Sequence, residues 1–269
     1  MDSDRIIKLH TAEGIFYADY KHNRESFEHF APHSHHTFSL SRIREGAIAI
    51  AYHSGEEVTL LPGQVALYHP DEVHKTRNLT DRPLVYDNLH IDAVWALGIQ
   101  QRMYETDALL PMREHLITDP HIQEAFAHTV SVIWQGEYLQ AEAAITQMLT
   151  RLFAEHTDPA VPREEDVLLE QIRRFILVHM DEKISATSIA AETGYSTAHI
   201  SRLFKKRFGL TLQAFLIDQR INRAKSLMIE SPELSLAEIA VEAGFYDQSH
   251  LVKNFKKAYS ISPNHYKRS

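Results

Sequence analysis

The chain has 269 residues, 44% of them hydrophobic, and no cysteine, which suits two ordinary cores and excludes both a disulfide framework and a cysteine-ligated zinc site. Its formal net charge of −8 argues against nucleic acid for the chain as a whole. The charge is uneven, however: residues 1–165 hold 13 Lys and Arg against 25 Asp and Glu, whereas residues 166–269 hold 15 against 11, so a polyanion would be met by the second part.

The opening MDSDRIIKLH has no long apolar run, so no signal peptide is expected. No stretch approaches the ~18 apolar residues of a membrane span, and the expected location is the cytoplasm. From Ile15 to about Asp92 the chain reads as short strands. Phe38 to Ile43 alternates apolar and polar residues, and Ala47 to Tyr52 does so more weakly. Turn signals stand at His53-Ser54-Gly55-Glu56 and Leu61-Pro62-Gly63-Gln64. Short strands at this spacing predict a barrel or sandwich.

Two histidine segments mark this region: Pro32-His33-Ser34-His35-His36, and His69-Pro70-Asp71-Glu72-Val73-His74-Lys75, with Gly46 and Pro62-Gly63 between them. In an extended strand His33 and His35 share one face and His36 takes the other. His74 is placed to join them across a barrel, and three imidazoles would suit zinc, iron or nickel. The segment resembles the cupin barrel, in the form found in the effector-binding domain of AraC-type sugar regulators. Cupin enzymes add a carboxylate to the histidines of the first motif. Here that position falls on Ser39 or Leu40, which leaves an enzyme site incomplete. The resemblance therefore implies a polar effector pocket and no metal or other cofactor, with His33, His35 and His74 as the metal alternative. Candidate pocket residues are His33, His35, Phe38, Arg42, Tyr52, Tyr68, His74, Tyr86, His90 and Trp95. They offer aromatic faces for the apolar side of a sugar and polar groups for its hydroxyls; ordinary barrel packing is the competing reading of each. His10, His22, His53, His115, His121 and His128 lack ligand spacing and are expected in surface or turn positions.

Asp119-Pro120 starts a helix with Pro in its first turn, and Ile122, Phe126, Val130 and Ile133 follow at helical spacing. A second helix, Glu137 to about Glu155, carries Ile145, Met148, Leu149, Leu152 and Phe153 on one side. The break at Gln135-Gly136 turns one helix back on the other. His156 to Glu165 has two prolines and no apolar period, the composition of a linker; a further helix is expected to start at Asp166.

The last part is one pattern written twice. Ile184 to Thr211 reads ISATSIAAETGYSTAHISRLFKKRFGLT, and Leu234 to Pro263 reads LSLAEIAVEAGFYDQSHLVKNFKKAYSISP. Ile189-Ala190 answers Ile239-Ala240, Gly194-Tyr195 answers Gly244-Phe245, and Phe204-Lys205-Lys206 answers Phe255-Lys256-Lys257. The offset grows from 50 at the glycines to 51 at the Phe-Lys-Lys triplets, so the second copy holds one extra residue in its turn or helix start. Each copy reads as helix, glycine turn, helix. Ser185 and Ser196 are placed to cap the first pair; Ser235 with Glu238, and then Asp247, the second. Ile200, Leu203 and Phe204 point inward in one copy, Leu251 and Phe255 in the other. A glycine-turn helix pair with a polar, basic second helix is the helix-turn-helix reader of DNA. A plain helical hairpin with a solvated face is the bland alternative, which the repeat disfavours.

Residues 167–269 resemble the DNA-binding domain of the AraC/XylS family of bacterial transcription regulators. The resemblance rests on Gly194-Tyr195-Ser196, Arg202-Leu203-Phe204-Lys205-Lys206, Arg220-Ile221-Asn222-Arg223-Ala224, Ile239-Ala240, Gly244-Phe245, His250, Phe255-Lys256-Lys257 and Ser262-Pro263. It implies seven helices, one of them a long strut from about Leu212 to Ile229. It also implies that Thr197, Ala198, Ser201 and Arg202, then Gln248, Ser249, Val252 and Lys253, face bases. Ser196 and Asp247 stand at the helix starts, and Lys205, Lys206, Lys256 and Lys257 suit phosphate. The expected fold is α+β in two domains: a cupin-like barrel (1–100) with covering helices that supply a dimer contact (101–156), a linker (157–166), and an all-α domain (167–269) with readers near 185–207 and 235–258. The expected function is a DNA-binding regulator, an activator under a small polar effector. Its implied partners are double-stranded promoter DNA, the effector, RNA polymerase and a second copy of the chain, with no membrane. A metal cupin enzyme with a DNA-binding tail, and a ligand-free regulator using the barrel only to dimerise, are the alternatives. No glycine-rich phosphate loop or nucleophile–base spacing supports other chemistry.

Overall fold

A computed structural model describes residues 5–11, 16–26, 30–106, 108–158, 164–180, 182, 184–259 and 262–268. The first half is built on two antiparallel sheets. The larger contains β1 (Arg5–His10), β2 (Phe16–Ser26), β9 (Leu84–Ile91), β4 (Phe38–Glu45), β7 (Val65–Tyr68) and the short β10 (Leu116–Ile117), in the order β1-β2-β9-β4-β7-β10. The smaller contains β3 (Phe30–His33), β8 (His74–Asn78), β5 (Ile48–Tyr52) and β6 (Glu57–Leu60), in the order β3-β8-β5-β6. The strand region thus begins ahead of the expected Ile15, because β1 pairs along β2.

Strand alternation divides the side chains between two cores. From β4, Phe38 and Leu40 pack with Leu89 and Ile91 of β9 beneath a layer of helices. Ile43 from β4, and Leu84 and Tyr86 from β9, turn into the space between the sheets with Ile48, Ile50, Tyr52, Leu60 and Tyr68. The helical layer comprises α1 (Ala93–Tyr104), α2 (Pro120–Gln135) and α3 (Tyr138–His156). Helix α1 was not expected. Asp92 caps it by accepting from the Trp95 backbone N–H at 2.9 Å, a signal the weak apolar period of AVWALGIQQRMY hides. Helices α2 and α3 meet at Gly136, a left-handed C-cap with φ 78°, as the Gln135-Gly136 break predicts.

A charged knot lies beneath this layer. Asp87 on β9 is fully buried. It accepts from Tyr20 Oη at 2.6 Å, from His22 Nδ1 at 3.0 Å and from Arg42 at 3.0 Å. Trp134 of α2 donates to Tyr20 Oη at 2.8 Å. Burial pushes the Asp87 carboxyl up, but these hydrogen bonds outweigh it and hold it below its usual range. His22 is therefore a buried partner of Asp87, not the surface residue its lone position suggests. His115 departs likewise: it lies between Glu56 at 2.6 Å and Glu72 at 2.8 Å, stacked on Tyr52.

The second half contains seven helices among the described residues: α4 (Glu164–Val178), α5 (Ala186–Thr193), α6 (Thr197–Phe208), α7 (Leu212–Glu230), α8 (Leu236–Glu242), α9 (Gln248–Tyr259) and α10 (Pro263–Arg268). They enclose two cores. Ile172, Ile189, Ile200 and Phe204 belong to one; Ile239, Leu251 and Phe255 belong to the other. Helix α7 serves both, giving Phe215 and Leu216 to the first and Ile221, Ala224, Leu227 and Met228 to the second. Of the expected linker, Thr157 is buried and bridges to Met112, the Asp158 N–H donates to the Pro111 carbonyl at 2.9 Å, and residues 164–166 are already helical. Residues 159–163 lie outside the described residues. Among the described residues, no helix is long and apolar enough to cross a membrane.

Candidate nucleic-acid interface and effector pocket

Both helix pairs are closed by the caps their sequences offer. Ser185 and Ser188 form a reciprocal capping box on α5, and Ser196 accepts from the His199 N–H at the start of α6. Ser235 and Glu238 do the same for α8, and Asp247 accepts from the His250 N–H at 2.7 Å at the start of α9. The apolar stripes turn in: Ile200, Phe204, Leu251 and Phe255 are each 0% exposed. The opposite faces are open. Ser196, Thr197, Ala198, Ser201, Arg202, Lys205 and Lys206 are exposed on the first pair. Asp247, Gln248, Ser249, Lys253 and Lys256 are exposed on the second, with Val252 half-buried among them. The residue that shifts the repeat offset is Tyr246, which stands between Phe245 and the capping Asp247 and is 90% exposed.

The space between the sheets is apolar at one end and polar at the other. At the polar end His33, the register partner of His74 across β3 and β8, approaches both His74 and His35, with ring centroids 4.5 and 4.9 Å apart. His35 lies 5.2 Å from His74 and 5.1 Å from His90. Tyr68 is 4.3 Å from His74, and Tyr52 is 6.2 Å from it. Burial drives His35 and His90 well below the ordinary imidazole value, and brings His74 down to about 4. The ten candidate pocket residues therefore separate. His33, His35, Tyr52, Tyr68, His74, Tyr86 and His90 share this interior. Phe38 instead packs edge-on against Phe153 of α3, Arg42 binds Asp87 and covers the Phe126 ring, and Trp95 on α1 packs against Tyr17. Those three sit on the helix side of the large sheet: Phe38 and Arg42 because one step in strand register reverses the face, and Trp95 because it belongs to helix α1.

The polar end abuts the second half of the chain. Ser34, between His33 and His35, donates through Oγ to Asp218 of α7, and its carbonyl accepts from Asn222 Nδ2 at 3.3 Å. Asp71, buried with φ 62°, receives Arg173 Nε of α4 and Gln219 Nε2 of α7, the latter at 2.7 Å. Burial, reinforced by Asp71, pushes the Asp218 carboxyl up to about 7, against the hydrogen bond from Ser34. Beside this seam opens a pocket lined from both halves: Asp19, Lys21, His35, His36, Thr37 and His90 from the barrel, and Asn222, Lys225, Ser226 and Tyr266 from the helical part. A second contact is made by His53, whose Nε2 lies 3.1 Å from the Lys205 carbonyl of α6. The sequence gives no motif for these seam residues. The available signal is the polar stripe Asp218, Asn222 and Lys225 on a strut that otherwise supplies core.

These features match known proteins over nearly the whole chain. Residues 17–172 match the model of the AraC-like ligand binding domain, and residues 189–269 match a helix-turn-helix domain. The arabinose operon regulatory protein of Escherichia coli is 24% identical, over 81% of this chain and 76% of its own length. An uncharacterized HTH-type transcriptional regulator of Bacillus subtilis, YbfI, is 22% identical over 82% and 81%. Among solved structures, ToxT from Vibrio cholerae superposes with a TM-score of 0.71 at 14% identity, covering 93% of this chain and 97% of that one. A second ToxT structure, described as bound to an unsaturated fatty acid, gives 0.68 at 15% identity, covering 99% and 97%. The relatives are transcription regulators and not enzymes, so the cupin-enzyme alternative falls. The chain belongs to the AraC/XylS family, DNA-binding transcription regulators that join an AraC-like ligand binding domain to a helix-turn-helix domain.

Proposed function

We propose that the chain is a cytoplasmic, homodimeric activator whose two readers enter successive major-groove segments of a promoter under control of a small polar effector. The observation that carries the effector reading is the pocket on the domain seam, lined by both halves. A molecule bound there touches the barrel and the strut that holds both readers. Its lining is polar and contains two lysines, Lys21 and Lys225, which suits a hydroxyl-rich metabolite such as a sugar or a related acid. Because of the lysines, a carboxylate-bearing effector, including a fatty acid of the kind described with ToxT, is the second form of this reading.

Thr197, Ala198, Ser201 and Arg202, with Gln248, Ser249, Val252 and Lys253, are assigned to bases. Ser196, Asp247, Lys205, Lys206 and Lys256 are assigned to the DNA backbone and helix starts. Dimerisation is assigned to the helical layer, where Tyr138 and Leu139 at the start of α3 are 43% and 70% exposed. Activation is assigned to contact with RNA polymerase. Selection of bound duplexes from a random-sequence pool with the full chain should recover two short motifs about 10 bp apart; recovery of no sequence preference would refute base reading. A thermal-shift panel of sugars, sugar acids and fatty acids should give a response that Lys225→Ala removes. Responses that Lys225→Ala leaves intact would move the effector elsewhere, and none at all would favour the ligand-free regulator.

A further inference from the structure

We propose that His33, His35 and His74 bind one divalent transition-metal ion at the polar end of the barrel, and that Ser34 carries its occupancy to the strut α7. The second clause rests on the regulator reading above; the first does not.

The three residues each offer one ring nitrogen, and these atoms lie within 4.8 Å of one another. Around Zn2+, bonds of about 2.0–2.1 Å in tetrahedral array put donor atoms about 3.3 Å apart, so modest side-chain rotation closes the set. The backbone has already done the larger part. His33 and His74 are register partners across β3 and β8, and His35 returns to the same side two residues after His33. His74 is also oriented as a ligand. Its Nδ1 lies 2.9 Å from the Glu72 carbonyl and must donate to it, which leaves Nε2 as the bare nitrogen. Ligating histidines are usually fixed through their other nitrogen in this way. His90 is close, its ring centroid 5.1 Å from that of His35, but it is not among the residues whose ligand atoms all lie within 4.8 Å of one another.

The donor set fixes the class of ion. Three imidazoles select zinc, nickel, copper or iron over magnesium and calcium, which prefer oxygen. Because Ser39 and Leu40 stand where a carboxylate is expected, the set is neutral, and one coordination position stays open. Such a site suits a reversibly held ion better than a permanent one.

The same short segment provides the coupling. His33 and His35 face inward, while Ser34 between them faces out and holds Asp218 and Asn222. The next link runs in parallel: the His35 carbonyl accepts from the Asp71 N–H at 2.6 Å, and Asp71 holds Arg173 and Gln219. An ion that draws His33 and His35 toward His74 therefore moves or fixes both grips on the helical half.

The test uses the full chain, stripped with chelator and titrated with Co2+. One equivalent should bind with the strong visible absorption of four-coordinate Co2+, and Zn2+ should displace it. His33→Ala and His74→Ala, checked by circular dichroism for folding, should each weaken Co2+ binding at least tenfold, whereas the remote His128→Ala should not. Absence of stoichiometric binding, or binding that survives both barrel variants, overturns the site. The coupling is read on a duplex recovered by selection. Metal should change the wild-type dissociation constant at least threefold. Ser34→Ala should keep one equivalent of Co2+ and lose that change. Metal binding with no change in wild-type DNA affinity overturns the coupling alone, and failure of the wild type to bind any duplex, with or without metal, overturns the regulator reading while leaving the site intact.

Discussion

The two helix-turn-helix units share a local code but differ in what holds them. In the first, the turn at Gly194 is open: a methyl group added there meets nothing within 4 Å. In the second, a methyl group at Gly244 would come within 2.3 Å of the Met180 carbonyl oxygen. That carbonyl also accepts from Arg220 Nε at 2.7 Å, and Arg220 reaches the Glu182 carbonyl at 2.8 Å. The second turn is thus wedged against the chain that leads into the first unit. The barrel, conversely, handles the first unit through His53 and the Lys205 carbonyl, and β3 runs beside α9 of the second. The caps differ too: Ser196 is neutral, whereas Asp247 sets a carboxylate at the start of α9, where the helix dipole favours it. A repeated sequence dictates a repeated fold, but each copy acquires its own mechanical setting.

That difference can be broken first at the glycines. Both have positive φ, 75° and 80°, so Ala costs each about 1–2 kcal/mol of backbone strain. Gly244→Ala should cost about 1–3 kcal/mol more through overpacking. Urea unfolding should show the excess, and equal losses would deny the wedge.

Next in size is base discrimination. Arg202→Ala should lose about 1–3 kcal/mol of preference for a selected duplex over random DNA, measured by competition binding. An equal loss on both DNAs would reassign Arg202 to phosphate.

A third measurement addresses the strut that joins the units. With the Asp218 carboxyl raised from 3.8 to about 7, the docked state binds the extra proton. The docking free energy it adds is complete below about pH 4 and is lost as pH rises through about 7, by at most about tenfold per pH unit. Asp71, Lys225, Arg173 and Ser34 are the groups that face or flank this carboxyl through the seam. Protection of the α7 amides relative to their intrinsic exchange rates should fall over that window in the wild type and show no such fall in Asp218→Asn. A flat wild-type profile would remove Asp218 from the seam's energetics.

The smallest effect is expected at His53. His53→Ala should release about 0.5 kcal/mol of exposed hydrogen bonding and speed exchange at the end of α6 without touching α9. Parallel changes in both helices would mean that the barrel does not treat the two units differently.

The helical half was legible because its signals are local. Caps, glycines and the 3.6-residue stripe lie within a few residues of one another, so Ser185, Gly194, Ser235 and Asp247 could each be assigned in place. The strut was off by one residue at its far end, Glu230 against Ile229. The barrel was harder. Which side of a strand faces inward depends on pairing across the sheet, so Phe38 and Arg42 looked like pocket residues as much as Tyr68 did, and Trp95 did so because helix α1 was not foreseen. Helix α1 escaped because its apolar face is weak and its cap is one aspartate. The seam left almost no trace. Ser34, Asp71 and Gln219 acquire their roles only when chain segments more than 100 residues apart meet, and no spacing encodes that.

The Asp87 knot has a consequence for how the large sheet assembles. Shifting β9 by one residue would aim that carboxylate at the tyrosines and histidines between the sheets and thrust Asn88 among the apolar helices. Tyr20, His22 and Arg42 would then be left without their shared acceptor, each a desolvated donor. Breaking such a buried charge set costs about 3–5 kcal/mol, enough to make every misaligned pairing of β2, β4 and β9 a poor competitor during folding. The knot works as an alignment key, and the histidine face can be polar without endangering the strand order because the opposite face guards it.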